Sequence, residues 1–162
     1  MSGTGDLVIT GNEITIQPGA LAREGVRGIR LTPCHPGFVP TPFERTVQVT
    51  GNRIQVMAGD EETVAEGMML ASDGGGERYA GTVLVTDNDV RIDGGHAVFV
   101  LGSTDPPSVL NGAEIIENHV AGSAEYGMVS TDGAEHCDIA DNDMSGFVAT
   151  VAETGPYGEQ LQ

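Results

Sequence analysis

The strongest constraint on this chain is a repeat. Aligned on an asparagine, five segments read LVITGNEITI (7–16), VQVTGNRIQV (47–56), VLVTDNDVRI (83–92), AEIIENHVAG (113–122) and CDIADNDMSG (137–146). The asparagines, Asn12, Asn52, Asn88, Asn118 and Asn142, stand 40, 36, 30 and 24 residues apart. A fixed unit whose insertions shorten along the chain produces such intervals, and self-similarity at this period marks a stacked architecture. Apolar residues alternate on both sides of each asparagine, as in Val47 and Val49, then Ile54 and Val56, so two short strands meet at a bend. The residue before the asparagine is Gly11, Gly51, Asp87, Glu117 or Asp141, which fits a tight turn with unusual backbone angles. A further apolar run follows each unit: GIRL (28–31), GMML (67–70), AVFVL (97–101), GMVS (127–130) and GFVATV (146–151). Each repeat therefore offers about three short strands and no stretch with helical period.

This unit, V-x-V-x-x-N-x-I followed by a G-I-x-V run, resembles the right-handed parallel β-helix of the pectate-lyase-like superfamily and its short β-helix repeats. The resemblance covers about residues 7–151, and the shortest interval, 24 residues, is close to one coil of that family. It implies an all-β fold, a single-stranded right-handed parallel β-helix (β-solenoid) of about five coils with corner loop insertions. One domain is expected over residues 1–162, with a C-terminal tail at about 152–162. The superfamily holds lyases, hydrolases, epimerases, phage tailspikes and adhesins, so it implies no single activity.

Physical chemistry leads to the same stack. One coil of short strands cannot bury its own apolar side chains, whereas a second coil about 4.8 Å away aligns like residues in columns. The expected inward columns are Leu7/Val47/Val83/Ala113/Cys137, Ile9/Val49/Val85/Ile115/Ile139 and Ile14/Ile54/Val90/Val120/Met144. The five asparagines would form an amide ladder along one turn. The insertions, 17–27, 31–46, 58–67, 72–81 and 102–112, then become loops at the corners.

Composition limits the partners. The chain has 24 acidic residues against 7 arginines and no lysine, a formal charge of −17, which repels a nucleic-acid backbone or an anionic membrane surface. At 39% hydrophobic residues the chain is too apolar for simple disorder. No window reaches the length of a membrane span, and the first residues lack the pattern of a signal peptide. Arginine in place of lysine, with abundant carboxylates, matches either a concentrated-salt habitat or codon bias.

Register converts spacing into adjacency. Asp89, His119 and Asp143 each follow the asparagine and would share a patch with His119 in the middle, which an acid/base site of a polysaccharide-active enzyme could use. Asp87, Glu117 and Asp141 each precede it and would stack about 5 Å apart, where a calcium ion would relieve their repulsion. The competing reading of both triads is a solvated turn corner built of polar turn-formers. In TDNDVRIDGG (86–95) the spacing is not that of an EF-hand, and Val90 and Ile92 look inward. Cys34-His35 and His136-Cys137 could meet as a metal site only if the Pro-rich insertion folded against the fifth coil, and Cys137 is in register with core residues. His96 lies at a bend, and Arg27, Arg30 and Arg53 could read a uronic carboxylate or neutralise a neighbour. Gly74-Gly75-Gly76 lacks the Lys-Ser/Thr of a phosphate loop.

The functional expectation is a β-helix structural or recognition module whose loops contact a polysaccharide or a larger assembly. The alternative is a polysaccharide lyase, epimerase or hydrolase using the acidic patch. A short β-helix exposes strand edges at both ends, so a longer parent chain, a homotrimer or docking to a larger chain is expected. An extracellular, cell-surface or virion setting is favoured.

Overall fold

A computed structural model describes residues 6–17, 26–31, 46–57, 65–72, 78–79, 82–94, 97–103, 109–111, 113–131, 134–135, 137–144, 146–147 and 152–154. The first repeat contributes β1 (Leu7–Thr10), β2 (Glu13–Ile16) and β3 (Val26–Leu31), and the second β4 (Thr46–Thr50), β5 (Arg53–Met57), β6 (Ala65–Ser72) and β7 (Arg78–Tyr79). The third holds β8 (Thr82–Thr86), β9 (Asp89–Asp93), β10 (Ala97–Ser103) and β11 (Val109–Asn111). The fourth holds β12 (Ala113–Ile116), β13 (His119–Gly122), β14 (Tyr126–Thr131) and β15 (Ala134–Glu135), and the fifth β16 (Asp138–Ala140) and β17 (Ala152–Thr154). Among the described residues there is no helix.

Every strand pairing in the described residues is parallel, and each sheet takes one strand from each successive repeat. The orders are β1-β4-β8-β12-β16, β2-β5-β9-β13, β3-β6-β10-β14-β17 and β7-β11-β15. This connectivity is consistent with a parallel β-solenoid. The register follows the asparagine alignment: Ile9 pairs with Val49, Val49 with Val85, Val85 with Ile115 and Ile115 with Ile139.

One expectation needs correction. The repeat suggested three strands per coil and assigned 72–81 and 102–112 to loops, yet these segments carry Arg78–Tyr79 and Val109–Asn111 of a fourth sheet. Strands of two or three residues are too short to show a period in the sequence, and only pairing with their neighbours defines them.

Strict alternation builds the core. Val49, Ile54, Val56, Val85, Val90, Ile92 and Ile115 are wholly buried, while their neighbours in sequence face outward or lie half-exposed. Leu7, expected in an inward column, is instead 43% exposed, because β1 is stacked on one side only among the described strands. Cys137 and Ile139, at the other end, are half-buried for the same reason.

The bend between the first two strands of each repeat is made by one left-handed residue. Gly11 and Gly51 have φ of 66° and 64°, and Asp87, Glu117 and Asp141 have 55°, 56° and 55°. Glycine takes this conformation without penalty and aspartate tolerates it, whereas glutamate incurs about 1–2 kcal/mol. At Gly122, with φ of 124°, a Cβ would collide with the carbonyl of Ile92, so only glycine lets the fourth coil close on the third there.

The asparagine after each bend ties the coils together. Nδ2 of Asn12, Asn52 and Asn88 donates to Oδ1 of the next asparagine at 2.9 Å, and Asn118 donates to Asn142 at 2.8 Å. The backbone N–H of each of these four donates to the same oxygen at 3.0–3.1 Å. Since a backbone N–H can only donate, the amide orientation is determined and the ladder has a direction. A second Nδ2 hydrogen reaches back to the preceding coil, from Asn52 to the Ile9 carbonyl, Asn88 to Val49, Asn118 to Val85 and Asn142 to Ile115. Asn52, Asn88 and Asn118 are 1% exposed, which their full set of partners makes tolerable.

Candidate functional site

The outward residues of the sheet β2-β5-β9-β13 are the chemically richest surface among the described residues. Immediately after each asparagine stand Glu13, Arg53, Asp89, His119 and Asp143, joined in one register. Their charges alternate as Glu13 minus, Arg53 plus and Asp89 minus, with His119 next and Asp143 minus. Arg53 Nε lies 3.7 Å from Asp89 Oδ2, with side chains 73% and 51% exposed. His119 Nδ1 lies 3.1 Å from Asp143 Oδ2, with side chains 57% and 58% exposed. Pairs this wet contribute little to stability.

Two residues further along each strand runs a second outward column of Thr15, Gln55, Arg91 and Ala121. Arg91 is held by Asp93 through a fork, Nη2 to Oδ1 at 2.9 Å and Nε to Oδ2 at 3.4 Å. The hydrogen bond and charge of Asp93 push the Arg91 pKa up, so this guanidinium stays charged at every relevant pH. Between the two columns lies a shallow concavity of about 160 Å³, lined by Arg53, Gln55, Asp89, Arg91, His119 and Ala121 over the buried Ile54. Two of the seven arginines of a −17 chain converge here.

The structure thus places His119 between Asp89 and Asp143, bonded to the latter. Asp87, Glu117 and Asp141 form a separate column, each exposed and each at the left-handed bend. Among the described residues, no three or more His, Cys, Asp or Glu side chains gather to hold a metal ion. The acidic residues at the bends have a backbone reason to be there, being turn-formers where the first two coils use glycine. Arg27 and Arg30 lie on β3, in the sheet β3-β6-β10-β14-β17. Cys34, His35, Gly74-Gly75-Gly76, His96 and His136 lie outside the described residues.

Sequence reasoning missed Gln55 and Arg91. The signal was present, because inward Val90 and Ile92 oblige Asp89, Arg91 and Asp93 to face outward together. Among the described residues, no helix is long and apolar enough to cross a membrane. The chain matches no protein-family model, no curated protein and no solved structure.

Proposed function

We propose that the chain is one right-handed parallel β-helix of the pectate-lyase-like kind, acting as a structural and recognition module that binds an acidic polysaccharide. Handedness follows from the general rule that parallel strands joined by a crossover wind to the right in about 98% of cases. The observation that carries the function is the open concavity: two outward guanidinium groups, an amide, a carboxylate and an imidazole on one rigid sheet face. Arg53 and Arg91 supply forked donors for a uronic carboxylate, and Gln55 and Asp89 supply partners for hydroxyl groups. These groups remain well solvated, which suits reversible recognition of a polar chain more than the enclosed chemistry of a catalytic cleft.

Titration calorimetry at ~0.15 M salt, where a Debye length of about 8 Å screens the −17 charge, tests this, with an oligouronate and a neutral oligosaccharide of the same length. The oligouronate should bind, and the double variant Arg53→Ala/Arg91→Ala should bind at least about tenfold more weakly, since a hydrogen bond to a charged group contributes about 1.5–3 kcal/mol. Equal affinity of wild type and variant, or no heat with either glycan, would overturn the reading.

The His119–Asp143 bond, with Asp89 next in register, favours a second reading as an acid/base site. If the protein cleaves or epimerises the oligouronate, product should appear by chromatography and vanish in His119→Ala while binding persists. Absence of product with the intact protein removes that reading and leaves recognition.

A further inference from the structure

We infer that copies of this chain dock head to tail, the fifth coil of one on the first coil of the next, through an end-to-end continuation of the asparagine ladder. The hydrogen-bonding groups at each end decide the pairing. Across an interior junction, the residue before the asparagine donates its N–H to the following coil, as Gly11 does to the Thr50 carbonyl at 3.3 Å and Gly51 to Thr86 at 3.2 Å. The asparagine donates its N–H and Nδ2–H to the next Oδ1, as Asn12 does to Asn52. The residue after it donates backward, as Arg53 N–H does to the Asn12 carbonyl at 2.8 Å and Asp143 N–H to that of Asn118 at 2.9 Å.

The two ends carry complementary halves of this set. At the first coil, the Asn12 Oδ1 acceptor, the Thr10 carbonyl edge and the Glu13 N–H donor face away from the stack. At the fifth, the N–H groups of Asp141 and Asn142 and the Asn142 carbonyl face the other way. Among the described residues, no donor reaches Asn12 Oδ1 and no acceptor reaches Asn142 N–H. Because the ladder is directional, two first coils would oppose acceptor to acceptor, so a two-fold dimer through this end cannot repeat the bonds. Only a fifth coil on a first coil does.

The apolar columns agree. The same register puts Leu7, Ile9 and Ile14 against Cys137, Ile139 and Met144; Leu7 is 43% exposed and Ile9, Ile14, Cys137 and Ile139 are half-buried, while Met144 is already buried within its own chain. One outward pair opposes docking: Glu13 meets Asp143, like charges at one coil spacing. Docking is therefore controlled by salt, and a cation at position 13 relieves it, as Arg53 does beside Asp89 in the interior.

Sedimentation velocity over a concentration series tests the inference on the intact protein. In ~1 M NaCl, where the Debye length is about 3 Å, the wild type should form species that lengthen with concentration. Glu13→Arg should shift the same behaviour to low salt, with junction affinity about tenfold tighter than wild type. Asn12→Ala should lose the association while its circular dichroism spectrum stays unchanged. To identify the ends, Val8→Cys and Asp138→Cys proteins, with Cys34 and Cys137 changed to serine, are mixed and treated with a short bis-maleimide, since residues 8 and 138 share one column. Links between position 8 of one copy and position 138 of another support the inference. Monomers in every condition for both wild type and Glu13→Arg, or links that join only position 8 to position 8, overturn it.

Discussion

The first and third coils share one apolar pattern around the asparagine, yet they live in different environments. In the third, Val83, Val85, Val90 and Ile92 are at most 1% exposed and Asn88 is 1% exposed. In the first, Leu7 is 43% exposed, and Ile9, Ile14 and Ile16 are half-buried. The motif alone therefore does not bury a residue; a coil on each side does. Where stacked repeats contact only their neighbours, stability is a sum of junctions, and a unit stacked on one side holds about half of what an interior unit holds.

The largest expected contrast is in the apolar columns. Ile115→Ala should lose about 2–5 kcal/mol of unfolding free energy in urea, and Leu7→Ala less than about 1 kcal/mol. Similar losses at the two sites would mean that the first coil is covered as fully as the fourth. Next comes the ladder. Asn88→Ala strands the Asn52 N–H and the Val49 carbonyl and should lose about 3 kcal/mol, whereas the exposed Asn12 should lose under about 1 kcal/mol on the same change.

A smaller effect separates the bends. Glu117→Gly, relieving a left-handed glutamate, should gain about 0.5–1 kcal/mol, and Gly51→Ala, with open space around its Cβ position, should lose about 1 kcal/mol from backbone strain alone. A melting temperature that falls in Glu117→Gly would show that its side chain does something the backbone does not require. The smallest expected effect is at the fifth coil, where burial pushes the Cys137 thiol pKa up, partly opposed by a backbone hydrogen bond with Ala113. The folded chain then keeps a proton that the unfolded chain releases. Stability is undisturbed below the ordinary thiol pKa of about 8.5 and declines as pH rises through the raised value. Cys137→Val should flatten that alkaline decline in thermal melts; an unchanged slope would assign it to other groups.

Much of this was legible in the residues. The alternation around Val49 and Ile54 makes strands, and the glycine or acidic residue before each asparagine marks a bend, because local sterics and periodicity act within a few residues. The fourth sheet was not legible, because Arg78–Tyr79 and Val109–Asn111 are strands only through pairing with one another. The concavity was half legible. Asp89, His119 and Asp143 could be aligned on the asparagine, but Gln55 and Arg91 enter it from a neighbouring column that no single repeat reveals.

By itself the sequence determined that this chain repeats, that the repeat is made of short strands, and that asparagines mark equivalent bends, all properties of local chemistry read five times. Tertiary structure alone decided which way the ladder points, which of five equivalent residues is covered, and which charges share a face. Those depend on what lies about 4.8 Å above and below each strand, and residues 24–40 positions away supply it.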